Sequence, residues 1–358
     1  MSDVPFWLAL SRISVLGARR ILRLLHFAGS AEKALTLDAD QLAAAGIPPN
    51  VAAVVLQERS KIDPEREWRQ CRDLGINVVR ITDDGYPPLL REIYDPPPLL
   101  FYRGELPHAE DVAVAVVGSR KASAYGRAAA EKISAGLAAA GVVVVSGMAR
   151  GIDTCAHLGA LSGGGRTVAV LGSGLDVCYP PENRKLYDRI VQNGAVLSEF
   201  PPGTAPKPAH FPLRNRIISG LSRAVVVVEA AAKSGALITA DCALEQGREV
   251  FAVPGSINSS MSKGCHRLLK EGATLAEDAD DILQSLGLEA KAAAGEERPA
   301  GAEGPEAAVL TALECEPVHF DSLAGMTGLS AAELHAFLVQ LELEGKIKKL
   351  PGNFFLRV

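Results

Sequence analysis

The chain has 358 residues, of which 48% are hydrophobic and 22% charged, with a formal net charge of −5. This is the mix of an ordinary globular protein with apolar material for two or three domains. No apolar run approaches the roughly 18 residues of a membrane span, and the net charge taken alone argues weakly against nucleic acid as a partner.

The charge is unevenly spread. Residues 1–110 carry 13 basic and 15 acidic groups, residues 111–285 carry 18 and 16, and residues 286–358 carry 6 and 11. The excess negative charge therefore belongs to the C-terminal end, and the central part is slightly basic. The start, Met1-Ser2-Asp3-Val4-Pro5, has neither the basic region nor the long apolar stretch of a secretory signal. The six cysteines, at 71, 155, 178, 242, 265 and 315, form no Cys-x-x-Cys pair, and the histidines are scattered without a His-Glu-x-x-His helix. No metal site or disulfide framework is expected, and the simplest compartment is a reducing cytoplasm, away from any membrane.

In chain order, residues 1–65 read as helical. Ala18 to Leu25 has apolar positions at helical spacing, and Leu42, Gly46-Ile47-Pro48-Pro49 and the run Val51 to Leu56 repeat a helix–turn–helix unit. A paired helix-hairpin-helix would offer backbone N–H groups to a DNA phosphate. However, Pro48 and Pro49 remove two of those donors, which favours a plain helical bundle. Residues 66–110 form a lead-in packed on the next domain. It holds a strand at Ile76–Ile81, proline-fixed turns at Asp84–Leu90 and Asp95–Pro98, and a strand at Leu99–Arg103.

From 111 to 288 strands and helices alternate. Short apolar strands without alternation lie at Val112–Val117, Val142–Val145, Thr167–Leu171, Ala195–Leu197, Ala224–Val228 and Val250–Val253, with helices at Ala124–Ala140 and Ala236–Gln246. Such strands are buried on both faces of a parallel sheet, and their C-terminal ends gather on the edge where open α/β sheets bind ligands. That edge collects Gly118-Ser119-Arg120, Ser146-Gly147 through Arg150-Gly151, Gly172-Ser173-Gly174 and Ser234-Gly235. Such loops suit phosphates. Arg120, Arg150, Arg214, Arg216 and Lys233 could form one basic patch, with Asn215 orienting an arginine or a phosphate. Phe211 to Arg216 is read as part of a loop between Phe200 and Ser219. Tyr125, Tyr179 and Phe211 are candidates for stacking bases, although for each a core or lid role is favoured.

No Gly-x-x-x-x-Gly-Lys-[Ser/Thr] loop is present, and no Gly-x-Gly-x-x-Gly follows the first strand of this body. Asp153, Asp176 and Glu229 lie near strand ends without a nucleophile–base constellation. Asp153, at a helix start, suits capping. The sequence points to no catalytic residues and no cofactor.

Taken together, Val117-Gly118-Ser119-Arg120, Ser146-Gly147-Met148-Ala149-Arg150-Gly151-Ile152-Asp153 and Gly172-Ser173-Gly174-Leu175-Asp176-Val177 resemble the DprA/Smf family of bacterial DNA-processing proteins. Tyr179-Pro180, Ser198-Glu199-Phe200, Phe211 to Gly220, Ser234 to Thr239 and Pro254-Gly255-Ser256 extend the resemblance over roughly residues 76–285. It implies an α/β fold with an extended Rossmann-like parallel sheet, a sterile-alpha-motif-like or helix-hairpin-helix-like N-terminal domain and a winged helix at 306–358. It also implies a homodimer that binds single-stranded DNA without strict sequence preference. Such a protein would load the RecA recombinase during natural transformation and recombination and help displace single-strand-binding protein. On this resemblance Arg120 is a principal phosphate contact, with Arg150, Arg214 and Lys233 in support. Ser119, Ser146, Gly147, Gly172 and Ser173 would give backbone or hydroxyl contacts. The alternative on a similar fold is a nucleotide phosphoribohydrolase, but Cys242 stands where that group's motif carries its catalytic Glu.

Glu289 to Gly304 holds six Ala, three Gly and four Glu, and residues 289–305 read as a flexible linker. Beyond it come helices at Ala307–Leu313 and from Phe320, a Ser330–Glu333 capping box opening a third helix, and a hairpin wing over Gly345–Leu356. The recognition helix of this winged helix, Ala331–Leu343, has no Lys or Arg, and residues 306–358 hold four basic and seven acidic groups. It is therefore expected to bind protein or pack on its own body. Deleting residues 306–358 should leave single-strand affinity within about threefold in a gel shift, whereas a loss of about a hundredfold would place DNA contacts there.

Overall fold

Helix signals in the first quarter of the chain are honoured locally. In the computed structural model the N-terminal helices are α1 (Val4–Arg12), α2 (Ala18–Ala28), α3 (Ala31–Thr36), α4 (Ala39–Ala44), α5 (Pro49–Arg59) and α6 (Pro64–Asp73). Ser30, Asp38 and Asp63 cap three of them through their side chains, and Gly29 ends α2 in the left-handed conformation. The structure describes residues 3–288, 309–310, 312–313, 318–350 and 352–357. The chain forms two units, 1–291 and 292–358.

The chain then enters the sheet. After β1 (Asn77–Arg80), α7 (Pro88–Arg91) and β2 (Leu99–Gly104) come β3 (Ala113–Val117), α8 (Ala124–Ala139), β4 (Val143–Ser146), α9 (Ile152–Ser162) and β5 (Thr167–Val170). Next are α10 (Arg184–Gln192), β6 (Gly194–Ser198), α11 (His210–Gly220), β7 (Ala224–Val227), α12 (Gly235–Glu245) and β8 (Glu249–Ala252). The body ends with α13 (Lys263–Lys270), β9 (Thr274–Leu275) and α14 (Ala279–Ser285). The strand order is β1-β2-β6-β5-β4-β3-β7-β8-β9. β1 pairs antiparallel with β2, and β2 antiparallel with β6, while the other neighbours run parallel. The lead-in strands thus extend the Rossmann-like sheet itself. Every residue of β3 to β7 is buried, as unalternating apolar strands require.

The order reverses between β3 and β7, since from β3 the chain moves toward β6 and then returns to lay β7 on β3's other side. Such a switch point leaves a crevice at the strands' C-terminal ends. Helices cover both faces. One core contains Val114, Ile133, Ala156 and Ile282, from the sheet, α8, α9 and α14. A second cluster on that face runs from Trp7 and Leu24 through Phe101 to Leu171 and Val196, while on the opposite face another joins Ile217, Leu237 and Leu268 to the sheet. The N-terminal helices therefore share apolar packing with the body. Among the described residues, no helix is long and apolar enough to cross a membrane.

One element differs from the sequence reading. Phe211 to Arg216 is not a loop but the first part of α11. Its Pro212 sits in the first helical turn, where the missing N–H costs nothing.

The second unit holds β10 (Val318–His319), α15 (Phe320–Thr327), α16 (Ala331–Leu343), β11 (Ile347–Leu350) and β12 (Phe354–Arg357), with strand order β10-β12-β11. The Ser330–Glu333 capping box forms, Gly328 closes α15, and Leu323, Leu334, Leu338, Ile347 and Phe355 make the core. This is the winged helix expected from the sequence. The linker at 289–305 lies outside the described residues, as do Ala307, Ala308 and Thr311 of the helix expected at Ala307–Leu313, while Val309, Leu310 and Ala312 are helical.

Candidate nucleic-acid interface

A cleft of about 640 Å³ opens at the switch point. Its floor comes from the ends of β3 and β4, one wall from the start of α12, and the other from residues 206–215. The turn after β3 is tightly determined. The Ser119 N–H donates to the Glu229 carbonyl at 2.7 Å, and the Ser119 carbonyl accepts from Ile152 at the head of α9. A Cβ on Gly118 would lie 2.6 Å from Ile152, so only glycine lets the two loops touch. Gly151 has φ +78°, and a Cβ there would sit 2.3 Å from the Ser119 carbonyl oxygen. The two glycine-rich loops thus lock each other, and the lock sets where Arg120 emerges.

The buried carboxylates are used inside the protein. Glu229 accepts from the Ser123 N–H at 2.9 Å and from its hydroxyl at 2.6 Å, which fixes the start of α8. Asp153 accepts from the N–H groups of Ala149, at 3.2 Å, and Gly118. Burial pushes the Asp153 carboxyl up, opposed chiefly by the charge of Arg214. Asp153 therefore occupies, from within, a position where glycine-loop amides would otherwise meet an external anion.

Arg214 faces Asp153 across Gly147. It is 4% exposed and donates to the carbonyls of Gly147, at 2.7 Å, and Val170. Burial brings its guanidinium down to about 10, against the pull of Asp153. Its neighbour Asn215 donates to the Gly235 carbonyl at 3.3 Å and accepts from the Arg214 Nε. These two residues line the cleft, but their main work is to hold β4, β5, α11 and α12 together.

The exposed groups have a different character. The Arg120 guanidinium lies 4.9 Å from the centroid of the Phe211 ring, and that ring is 5.7 Å from Tyr179 at a tilt of 36°. Lys121 is also exposed on the lining, and Lys233 is exposed beside Ser234, which caps α12. Among the described residues, none of Arg120, Lys121 and Lys233 has a carboxylate within ion-pair distance.

The structure thus brings together Gly118, Ser119, Arg120, Tyr179, Phe211, Arg214, Asn215, Ser234 and Gly235. Other candidates lie elsewhere. Gly172, Ser173 and Gly174 are buried beneath the 200–210 segment, with the Ser173 hydroxyl donating to the Val177 carbonyl and Gly174 to that of Thr204. The Ser146 hydroxyl is buried on the Val116 carbonyl. Gly147 and Gly151 shape the loop from outside the lining, and Arg150 pairs with Glu182. Arg216 turns the other way, into ion pairs with Asp95 at 3.0 Å and with Glu199. Tyr125 is half exposed, but it stands off the cleft with its hydroxyl on the Pro254 carbonyl. The sequence reading missed Lys121, whose place next to Arg120 was the available signal. It also missed Met261, Ile238 and the prolines 206 and 208 on the walls, which carried none.

An open Rossmann-like sheet, with a cation- and aromatic-edged cleft at its switch point and a separate winged helix, defines a two-unit ligand-binding α/β protein. The sequence matches the DNA recombination-mediator protein A family over residues 77–287 and the DprA winged helix domain over 291–353. It is 35% identical to protein Smf of Synechocystis sp. over 99% of both chains, and 53% identical to DNA processing protein DprA of Streptococcus pneumoniae over 57% of this chain and 72% of that one. The solved structure of the S. pneumoniae protein aligns with a TM-score of 0.70 at 42% identity, covering 79% of this chain and 98% of that one. DNA processing protein A from Helicobacter pylori, solved for its single-stranded DNA binding mode, aligns with a TM-score of 0.53 at 29% identity, covering 59% and 95%. The chain belongs to the DprA/Smf family of DNA-processing proteins.

Removing Arg214 leaves Asp153 buried without its countercharge and two carbonyls without a donor. Arg214→Ala should therefore cost about 3–5 kcal/mol of stability in urea unfolding. A cost under about 1 kcal/mol would show that this buried charge coupling is dispensable.

Proposed function

We propose that the cleft binds single-stranded DNA without strict sequence preference. The observation that carries this reading is the Arg120–Phe211–Tyr179 array, a cation and two aromatic rings at the mouth of a cleft with uncompensated Lys121 and Lys233 beside it. Aromatic faces stack any base, and cations track any backbone, so an array of this kind supplies affinity without reading sequence. The single-stranded DNA binding mode described for the H. pylori protein supports the choice of a single strand.

The protein does this without catalysis. Asp153, which lines the cleft, and the buried Glu229 behind it are committed to backbone and hydroxyl donors, and Cys242 stands where the phosphoribohydrolase motif has its Glu. Family membership supports the rest of the reading: a cytoplasmic homodimer that loads RecA onto single strands during transformation and recombination, in competition with single-strand-binding protein.

Binding to a labelled oligonucleotide at two salt concentrations tests the cleft. Arg120→Ala should weaken binding about tenfold or more and lower the salt slope by about 0.7. Phe211→Ala should weaken it by about 1–3 kcal/mol with the slope nearly unchanged, because stacking releases no counterion. Unchanged affinity in both variants would remove the site assignment. The loading role predicts that substoichiometric protein speeds RecA filament assembly on strands coated with single-strand-binding protein, and that Arg120→Ala abolishes the effect. Equal assembly rates with and without the protein would refute it.

A further inference from the structure

A second cleft, of about 900 Å³, lies between α2 and the body. It is separated from the first by the segment 206–213, whose residues line both sides. Pro206, Pro208, Phe211 and Pro212 face the first cleft, and Lys207, His210 and Leu213 face the second.

The charges of this second cleft do not cancel. Its carboxylates, Asp95 and Glu199, are both held by Arg216, and Arg12 is held by Glu67. That leaves Arg19, Arg20, Arg23 and Lys207, all exposed and, among the described residues, without a carboxylate within ion-pair distance. Arg20 and Arg23 each spend one nitrogen on a carbonyl, of Val15 and Gly46, so their positions are fixed while other N–H groups stay free. The Arg19 guanidinium lies 4.4 Å from the ring centroid of Tyr94, which is 79% exposed. A cation on an aromatic ring thus recurs across the divider from Arg120 and Phe211.

We propose that the second cleft takes the sugar-phosphate backbone of the same single strand where it continues beyond the first, with Arg19, Arg20 and Lys207 as phosphate contacts. The inference rests on the single-strand reading of the first cleft. It makes the N-terminal helices part of the DNA path through their side-chain charges, independently of the proline-blocked turn at Pro48-Pro49.

The test is fluorescence anisotropy on the full chain with oligothymidylates of about 6 and about 20 nucleotides. The variant combines Arg19→Ala, Arg20→Ala and Lys207→Ala. Its affinity for the short strand should stay within about twofold, while the long strand is bound about tenfold or more weakly, with the salt slope lower by about 2 for three lost contacts. Arg19→Lys with Arg20→Lys should keep the long-strand affinity. If the triple variant unfolds, Arg19→Ala and Lys207→Ala alone, both at exposed side chains, should each lower the long-strand slope by about 0.7. Unchanged long-strand affinity and slope, or an equal loss on both lengths, overturns the second cleft and leaves the first standing. A wild-type protein that binds neither length overturns both.

Discussion

The Arg214–Asp153 pair is the constraint on which the rest of the cleft depends. Two opposite charges buried on either side of Gly147 are tolerable only because each also satisfies backbone groups. Arg214 donates to the ends of β4 and β5, and Asp153 accepts from the loops after β3 and β4. Desolvation of such a pair is expensive, and its attraction repays that cost only with good geometry and full hydrogen bonding. The pair therefore specifies more than it stabilises. It admits one arrangement of three strand ends, those of β3, β4 and β5, and two helix starts, and that arrangement delivers Arg120 and Phe211 to the same place.

This divides the basic residues of the body into two kinds. Arg214 and Arg216 are committed to internal carbonyls and carboxylates, whereas Arg120, Lys121 and Lys233 are exposed and uncompensated. The overall charge of −5 conceals this distinction, because charge near a ligand counts only where it is not already cancelled.

Much of the architecture was legible in the sequence. Unalternating valine-rich strands announced a doubly covered sheet, and their glycine-ended C-termini marked the ligand edge. What stayed hidden was how the intervening segment folds. Reading Phe211–Arg216 as a loop placed Arg214 and Arg216 in one patch. In α11 residues two apart point about 200° from one another, so the two arginines serve opposite sides. Likewise, the three glycine-rich loops after β3, β4 and β5 look alike as strings. Only the tertiary path of residues 200–210, which covers Gly172–Gly174, decides which of them meets solvent. Periodicity encodes burial against a sheet, but it does not encode which loop another loop will cover.

The internal saturation of the glycine loops also bears on how long any ligand stays. Amides that already donate to Asp153 and Glu229 need not be released when a strand arrives or re-satisfied when it leaves. On the proposed single-strand reading, what would hold the strand is a set of exposed side chains that water and salt can replace one at a time. Such a grip peels stepwise, with no single large barrier to departure. That kinetic profile accords with the proposed role of passing a strand onward rather than storing it.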